Sequence, residues 1–200
     1  AMLIPLWQKV WQIIQQDVNF RWFLMGRIVS QFGLMAFSFY IVYAVRFHGM
    51  NEVMAGVMAS VLMLSQVAAN PILGWRADKW SKQGVMICGS IATLISCLLA
   101  AMAPDLSWFF VVFILAGWAN TTFWTISLSM SLDFGPEEDR PTYIGMSNTL
   151  IAPAAILAPL LGGWIADIAG YPYTFIFAAG FAVITGIIFI FLVRDPKPSR

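Results

Sequence analysis

Charge is the scarcest component of this chain. Only 10% of its 200 residues are Asp, Glu, Lys or Arg, and 60% are hydrophobic. An ordinary soluble domain carries about 25% charged residues. So few ionic groups cannot cover a water-facing exterior, which excludes a soluble globular domain and leaves lipid as the surrounding medium. The net charge is only +1, so no bulk field points to a nucleic-acid partner. Histidine occurs once, as His48, with no Cys or carboxylate at ligand spacing; neither a metal nor a cofactor is implied. There is no Gly-x-Ser-x-Gly elbow, no phosphate-cradling loop and no acid–base pair inside an apolar run, so an enzyme is not expected. A channel's charged ring or filter-like loop is missing too. Cysteine occurs twice. Cys88 and Cys97 stand nine residues apart in one apolar run, on opposite sides of a helix, and should not pair. The start lacks the basic region, short apolar centre and cleavage site of a signal peptide, and Ala1-Met2 reads as the edge of a longer chain.

Uninterrupted apolar sequence is what the chain has in abundance. A bilayer core about 30 Å thick takes about 20 apolar residues as helix. Six runs qualify: Trp22–Val45, Val53–Gly74, Val85–Ala103, Trp108–Leu132, Thr142–Ala166 and Thr174–Val193. Turn chemistry separates them, as in His48-Gly49-Met50-Asn51, Phe134-Gly135-Pro136 and Gly170-Tyr171-Pro172. No run alternates with period two, so a β-barrel is not expected. The fold class is therefore an all-α membrane protein of six transmembrane helices.

Orientation follows from the bases. With the N-terminus inside, Lys9, Arg21, Arg27, Arg76, Lys79, Lys82, Arg140, Arg194, Lys197 and Arg200 fall on the inner side and only Arg46 on the outer. Both termini are then cytoplasmic, in a multi-pass plasma-membrane protein. Trp22, Trp75, Trp80, Trp108, Trp164 and Tyr171 mark span ends, where amphipathic rings favour the interface. Residues 1–20 form a separate element. Leu3, Trp7, Val10, Trp11 and Ile14 recur at helical spacing, with Gln8, Lys9, Gln12, Gln15 and Gln16 opposite. This is either an amphipathic helix lying in the cytoplasmic interface or a linker helix packed on the bundle. Residues 21–200 form the six-helix domain.

The two halves of that domain resemble each other. Pro71-Ile72-Leu73-Gly74-Trp75-Arg76-Ala77-Asp78 matches Pro159-Leu160-Leu161-Gly162-Gly163-Trp164-Ile165-Ala166-Asp167 at Pro, Leu, Gly, Trp, Ala and Asp, with one glycine inserted. The first closes span two and the second closes span five. Three crossings separate them, so the two trios run in opposite directions, the inverted-repeat pattern of secondary transporters.

The stretch Gly74-Trp75-Arg76-Ala77-Asp78-Lys79-Trp80-Ser81-Lys82 resembles the loop signature of the major facilitator superfamily. That signature runs Gly, three residues, Asp, a base, two residues, a base. Lys79 stands where the family favours Arg, Ser81 where it favours Gly, and Gln83 where it favours a further base. The resemblance implies a cytoplasmic gating cluster of Gly74, Arg76, Asp78, Lys79 and Lys82, with Asp78 facing the start of span five around Arg140–Tyr143. Span five also resembles the family's Gly/Pro-rich packing motif through Gly145, Ala154, Ala158, Pro159, Gly162 and Gly163, two of its glycines being alanine here. The resemblance covers nearly the whole chain but six of the family's usual twelve helices. Span four lacks the Arg usual in the N-terminal half, and Arg194-Asp195-Pro196-Lys197 resembles a family C-terminus. The chain thus reads as the C-terminal half, partnered by an N-terminal half or by a second copy of itself.

In the family, the first and fourth helices of each half line the central cavity. Span four is also the most polar here. Asn120, Trp124, Ser127 and Ser131 fall on one stripe by spacing, and Gln31 and Ser38 fall on a stripe of span one. The expected cavity residues are Gln31, Ser38, Asn120, Trp124 and Ser127. Arg27, counted one turn into span one, should snorkel to the interface. Acids are missing from the span interiors, so no proton relay is visible, and the neutral, aromatic stripe favours an amphipathic or uncharged solute. The expected partners are lipid and a small-molecule substrate. The expected activity is secondary active transport by alternating access. The alternative is a non-transporting scaffold or inactive fragment that pairs with another six-helix half.

Overall fold

The computed structural model describes residues 6–196, with side chains from Val10 onward. Expectations placed on Leu3, Lys197 and Arg200, and on the side chains of Trp7, Gln8 and Lys9, lie outside the described residues. Regular structure among the described residues is entirely helical. Six helices are long and apolar enough to cross a membrane: Val18–His48, Glu52–Lys79, Lys82–Met102, Trp108–Ser131, Glu137–Ala169 and Tyr171–Phe191. They coincide with the six apolar runs, numbered here in the same order. Most extend past the run because polar residues at the ends cap the helix. Asp17 Oδ1 accepts from Phe20 N–H at 2.9 Å, Asn51 Oδ1 from Met54 N–H at 2.8 Å, and Ser81 Oγ from Gly84 N–H at 2.8 Å. Gly49, at φ +67°, closes span one in the left-handed conformation that favours glycine.

Span three packs along span six at the centre of the bundle. Around that pair, span one packs on six as span four packs on three, and span two packs on four as span five packs on one. Exchanging spans one, two and three for four, five and six maps each of these contacts onto another. This is the arrangement of two inverted trios. Large aromatics fill both ends of the bundle. Phe20, Phe23, Phe134, Tyr143 and Phe189 form one cluster, near the described termini. Tyr40, Tyr43, Phe109, Phe113 and Phe175 form the other. Close approach between the clusters rests on small residues: a Cβ on Gly33 would lie 3.5 Å from the Ala182 backbone nitrogen.

Spans two and five are the least covered. Only 17% and 28% of their apolar windows are buried, against 44–56% for the other four. The N-terminal helix, Leu6–Gln16, lays Val10, Ile13 and Ile14 against the cluster nearest the termini, while Trp11 is exposed. Cys88 is exposed and Cys97 buried, and both are free thiols, as their spacing predicts.

Candidate functional site

Span one starts at Val18, four residues before its apolar run. Arg27 is the tenth residue of this 31-residue helix, about 14 Å from its start. The expected snorkelling does not occur. Arg27 is 3% exposed, its guanidinium lies 5.9 Å from the Phe23 ring centroid, and its Nε and Nη1 have no hydrogen-bond partner. The side chain borders a cavity of about 490 Å³ between spans one, four and five. Gln31, one turn further along span one, borders it too, as do Trp124 of span four and Asn148, Ile151 and Ile156 of span five.

Gln31 and Trp124 thus border one cavity. Asn120 borders the other side of Trp124, in a separate depression shared with Gln66 and Asn70. Ser127 does not join them. It is fully buried, its Oγ has no partner, and its carbonyl accepts from Ser131 Oγ at 2.9 Å. Ser131 is itself fully buried, 3.1 Å from Ser147 Oγ. A π-helical turn over Thr122–Ile126 explains the split. Its i→i+5 bonding adds one residue to the turn, which rotates the following residues by about 100° relative to an unbroken α-helix. Trp124 is left 59% exposed while the serines turn inward. Ser38 is exposed, in a 3₁₀ stretch over Met35–Phe39, and borders neither cavity. Sequence reasoning missed Asn148; its signal is a polar amide in the first half of an apolar run, beside Ser147 and Thr149.

At the bundle end carrying the termini, the loop signature uses its bases locally. The Arg76 guanidinium stacks 3.9 Å from the Trp80 ring centroid, and Lys79 Nζ lies 4.9 Å from that of Trp75. Lys82 pairs with Asp133 at 2.5 Å and donates to the Ser129 carbonyl at 3.1 Å, joining spans three and four. Asp78 is exposed and borders a depression with Lys82, Asp133 and Asp195; no residue of span five lines that depression. Arg140 pairs with Glu137 at 3.2 Å. Asp195 Oδ1 accepts from Gln83 N–H at 2.7 Å, and Asn19 exchanges two hydrogen bonds with the Arg194 backbone, at 2.9 and 2.8 Å. These last contacts tie the ends of spans one, three and six together.

The small residues of span five divide. Ala154, Ala158 and Gly162 form a buried stripe. A Cβ on Gly162 would meet the Phe39 ring at 2.7 Å, and Thr174 Oγ1 donates to the Gly162 carbonyl at 3.1 Å. Gly163 flanks the same Phe39 ring, with 3.7 Å from a built Cβ, and Pro159 lies inside the unbroken helix. Gly74 and Gly145 differ, because a Cβ on either would meet nothing within 4 Å.

The family profile described as Major Facilitator Superfamily matches residues 23–200. The chain is 29% identical over 151 residues to a Na(+), Li(+), K(+)/H(+) antiporter of Planococcus maritimus, covering 70% of this chain and 35% of that protein. It is 30% identical over 124 residues to the class H tetracycline resistance protein of Pasteurella multocida, covering 62% and 30%. It is 25% identical over 144 residues to the quinolone resistance protein NorA of Staphylococcus aureus, covering 72% and 37%. The chain thus spans about a third of the length of these relatives. The profile reaches all six spans, and the chain belongs to the major facilitator superfamily, a family of membrane transporters and not of enzymes.

Proposed function

We propose that this chain is the C-terminal six-helix half of a secondary transporter. A small solute crosses the membrane by alternating access along the face shared by spans one, four and five. The observation that carries this reading is the cavity between the spans, bordered by the polar side chains of Arg27 and Gln31 and by Trp124. Polar and charged groups are costly in hydrocarbon and belong on a water-filled path. Six helices cannot enclose such a path alone, so a complementary six-helix half supplies the other wall, either within one polypeptide or as a second copy. Two further features support a missing neighbour: the sparse cover of spans two and five and the open space at Gly74 and Gly145. Relatives that are an antiporter and two drug-resistance proteins agree with a small solute as cargo.

In this reading residues 1–20 are the end of a cytoplasmic linker, both termini are cytoplasmic and the membrane is the plasma membrane. Asp78 and the neighbouring Lys82–Asp133 pair control closure at the cytoplasmic end. The small-residue stripe of Ala154, Ala158 and Gly162 keeps span five close to spans one and six during the movement.

Alternation is testable with a single cysteine at Gln31 in proteoliposomes, after Cys88→Ser and Cys97→Ala. The transporter reading expects a membrane-impermeant maleimide to reach this cysteine from either side, and Asp78→Asn to change the ratio of the two labelling rates. One-sided labelling that no variant changes, with no solute flux, identifies a scaffold instead.

A further inference from the structure

The cavity holds one charge that no Asp or Glu of the described residues answers. Of the ten Asp and Glu residues, none lies deeper than the first or last turn of a span. Arg27 is only 3% exposed, and two of its guanidinium nitrogens lack any hydrogen-bond partner. A buried charge with neither counter-ion nor hydrogen bonds is strongly unfavourable in a low-dielectric layer. Its presence inside the span is explained if a charge of opposite sign arrives with the cargo.

We propose that Arg27 anchors the anionic group of the solute, and that the cavity takes amphipathic organic monoanions, a carboxylate on an aromatic or branched aliphatic body. This inference rests on the cavity being the solute site. A guanidinium presents a planar fork that matches a carboxylate. Gln31, four residues on, lies on the same helical face, and its amide donates to the second carboxylate edge. Trp124 offers a flat ring for the body of the solute, and Ile151 and Ile156 complete an apolar wall. The volume of about 490 Å³ is within the range of small-molecule sites. Only one positive charge faces the space, so a dianion would carry one charge unanswered. The cavity is therefore not neutral, as the polar stripe of span four alone suggests.

The test is equilibrium binding to the full chain in lipid nanodiscs at neutral pH. Three probes of one shape are compared: 2-naphthoate, 2-naphthamide and 2-naphthylmethylammonium. Naphthoate should bind about tenfold or more tighter than the amide, the expected size of a charge-assisted hydrogen bond, and the ammonium should bind weakest. Arg27→Met should abolish the preference, Arg27→Lys should keep part of it, and Trp124→Ala should weaken all three probes alike. The wild-type series decides even if an Arg27 variant does not fold. Equal binding of the three probes, still sensitive to Trp124→Ala, overturns the anion assignment and leaves the solute site standing. A preference for the ammonium also overturns it, and points to a carboxylate from the complementary half as the partner of Arg27. No binding of any probe overturns both readings.

Discussion

Gly117→Ala should separate spans two and four. A Cβ at this position would lie 2.7 Å from Ser65 Cβ and 2.9 Å from the Leu62 carbonyl oxygen. Neither atom can rotate away, because one is fixed to the backbone and the other belongs to it. Comfortable separations are about 3.5–4.0 Å, so span two must retreat by roughly 1 Å. That retreat also stretches the 2.7 Å hydrogen bond from Ser65 Oγ to the Ile114 carbonyl. Overpacking costs about 1–3 kcal/mol, and an interhelical hydrogen bond in a membrane contributes about 0.6 kcal/mol. Alanine recovers about 0.5–1 kcal/mol of helix propensity over glycine. The net expected loss is about 1–2 kcal/mol. Gly74→Ala is the matched control. Its added methyl meets nothing, so within this chain it should be neutral or stabilising by up to about 1 kcal/mol. Reversible unfolding in mixed micelles, followed by circular dichroism, measures both. Gly117→Ala as stable as the parent, or less harmful than Gly74→Ala, would refute the packing described for spans two and four.

Tyr40→Phe should cost about 0.6–1.7 kcal/mol in the same assay. It breaks a buried chain running from the Tyr40 hydroxyl to Ser96 Oγ at 2.9 Å, and from Ser96 Oγ to the Val112 carbonyl at 3.2 Å. A double-mutant cycle on Lys82→Met and Asp133→Asn should give a coupling of about 1 kcal/mol, since both side chains are only partly buried; additive losses would mean that the pair contributes nothing. Cysteines at Ser90 and Gly186, with Cys88→Ser and Cys97→Ala, should form a disulfide under mild oxidation. A Cβ at Gly186 lies 3.6 Å from Ser90 Cβ, within the disulfide range of about 3.5–4.5 Å. A failure to cross-link contradicts the central pairing of spans three and six.

The spans were legible because hydrocarbon imposes one strong rule, about twenty apolar residues per crossing, and Gly, Pro and Asn mark the breaks. Helix ends were less legible, and the consequence falls on Arg27. Counted from Trp22 it stands about one turn in, but Asp17 starts the helix at Val18, so it is the tenth residue of the helix, and its side chain packs inside the bundle. Span four misled for a different reason. Its stripe from Asn120 to Ser131 assumes 3.6 residues per turn, and the π-turn over Thr122–Ile126 breaks that register. Local composition does not announce such a turn, because packing against neighbouring spans decides it. The depression around Asp78 depends on where separate helix ends converge, and Asp195 enters it from the far end of the chain.

A transport path requires the face shared by spans one, four and five to be wet inside the membrane. The most direct measurement of this is the labelling rate of single cysteines by a membrane-impermeant thiosulfonate, in intact proteoliposomes and without the two native thiols. Ala152 borders the cavity, and Ile187 is exposed on span six, away from it. Ala152→Cys should label readily while Ile187→Cys stays unreactive until detergent is added. Equal rates at the two positions, or faster labelling at Ile187→Cys, would contradict the account.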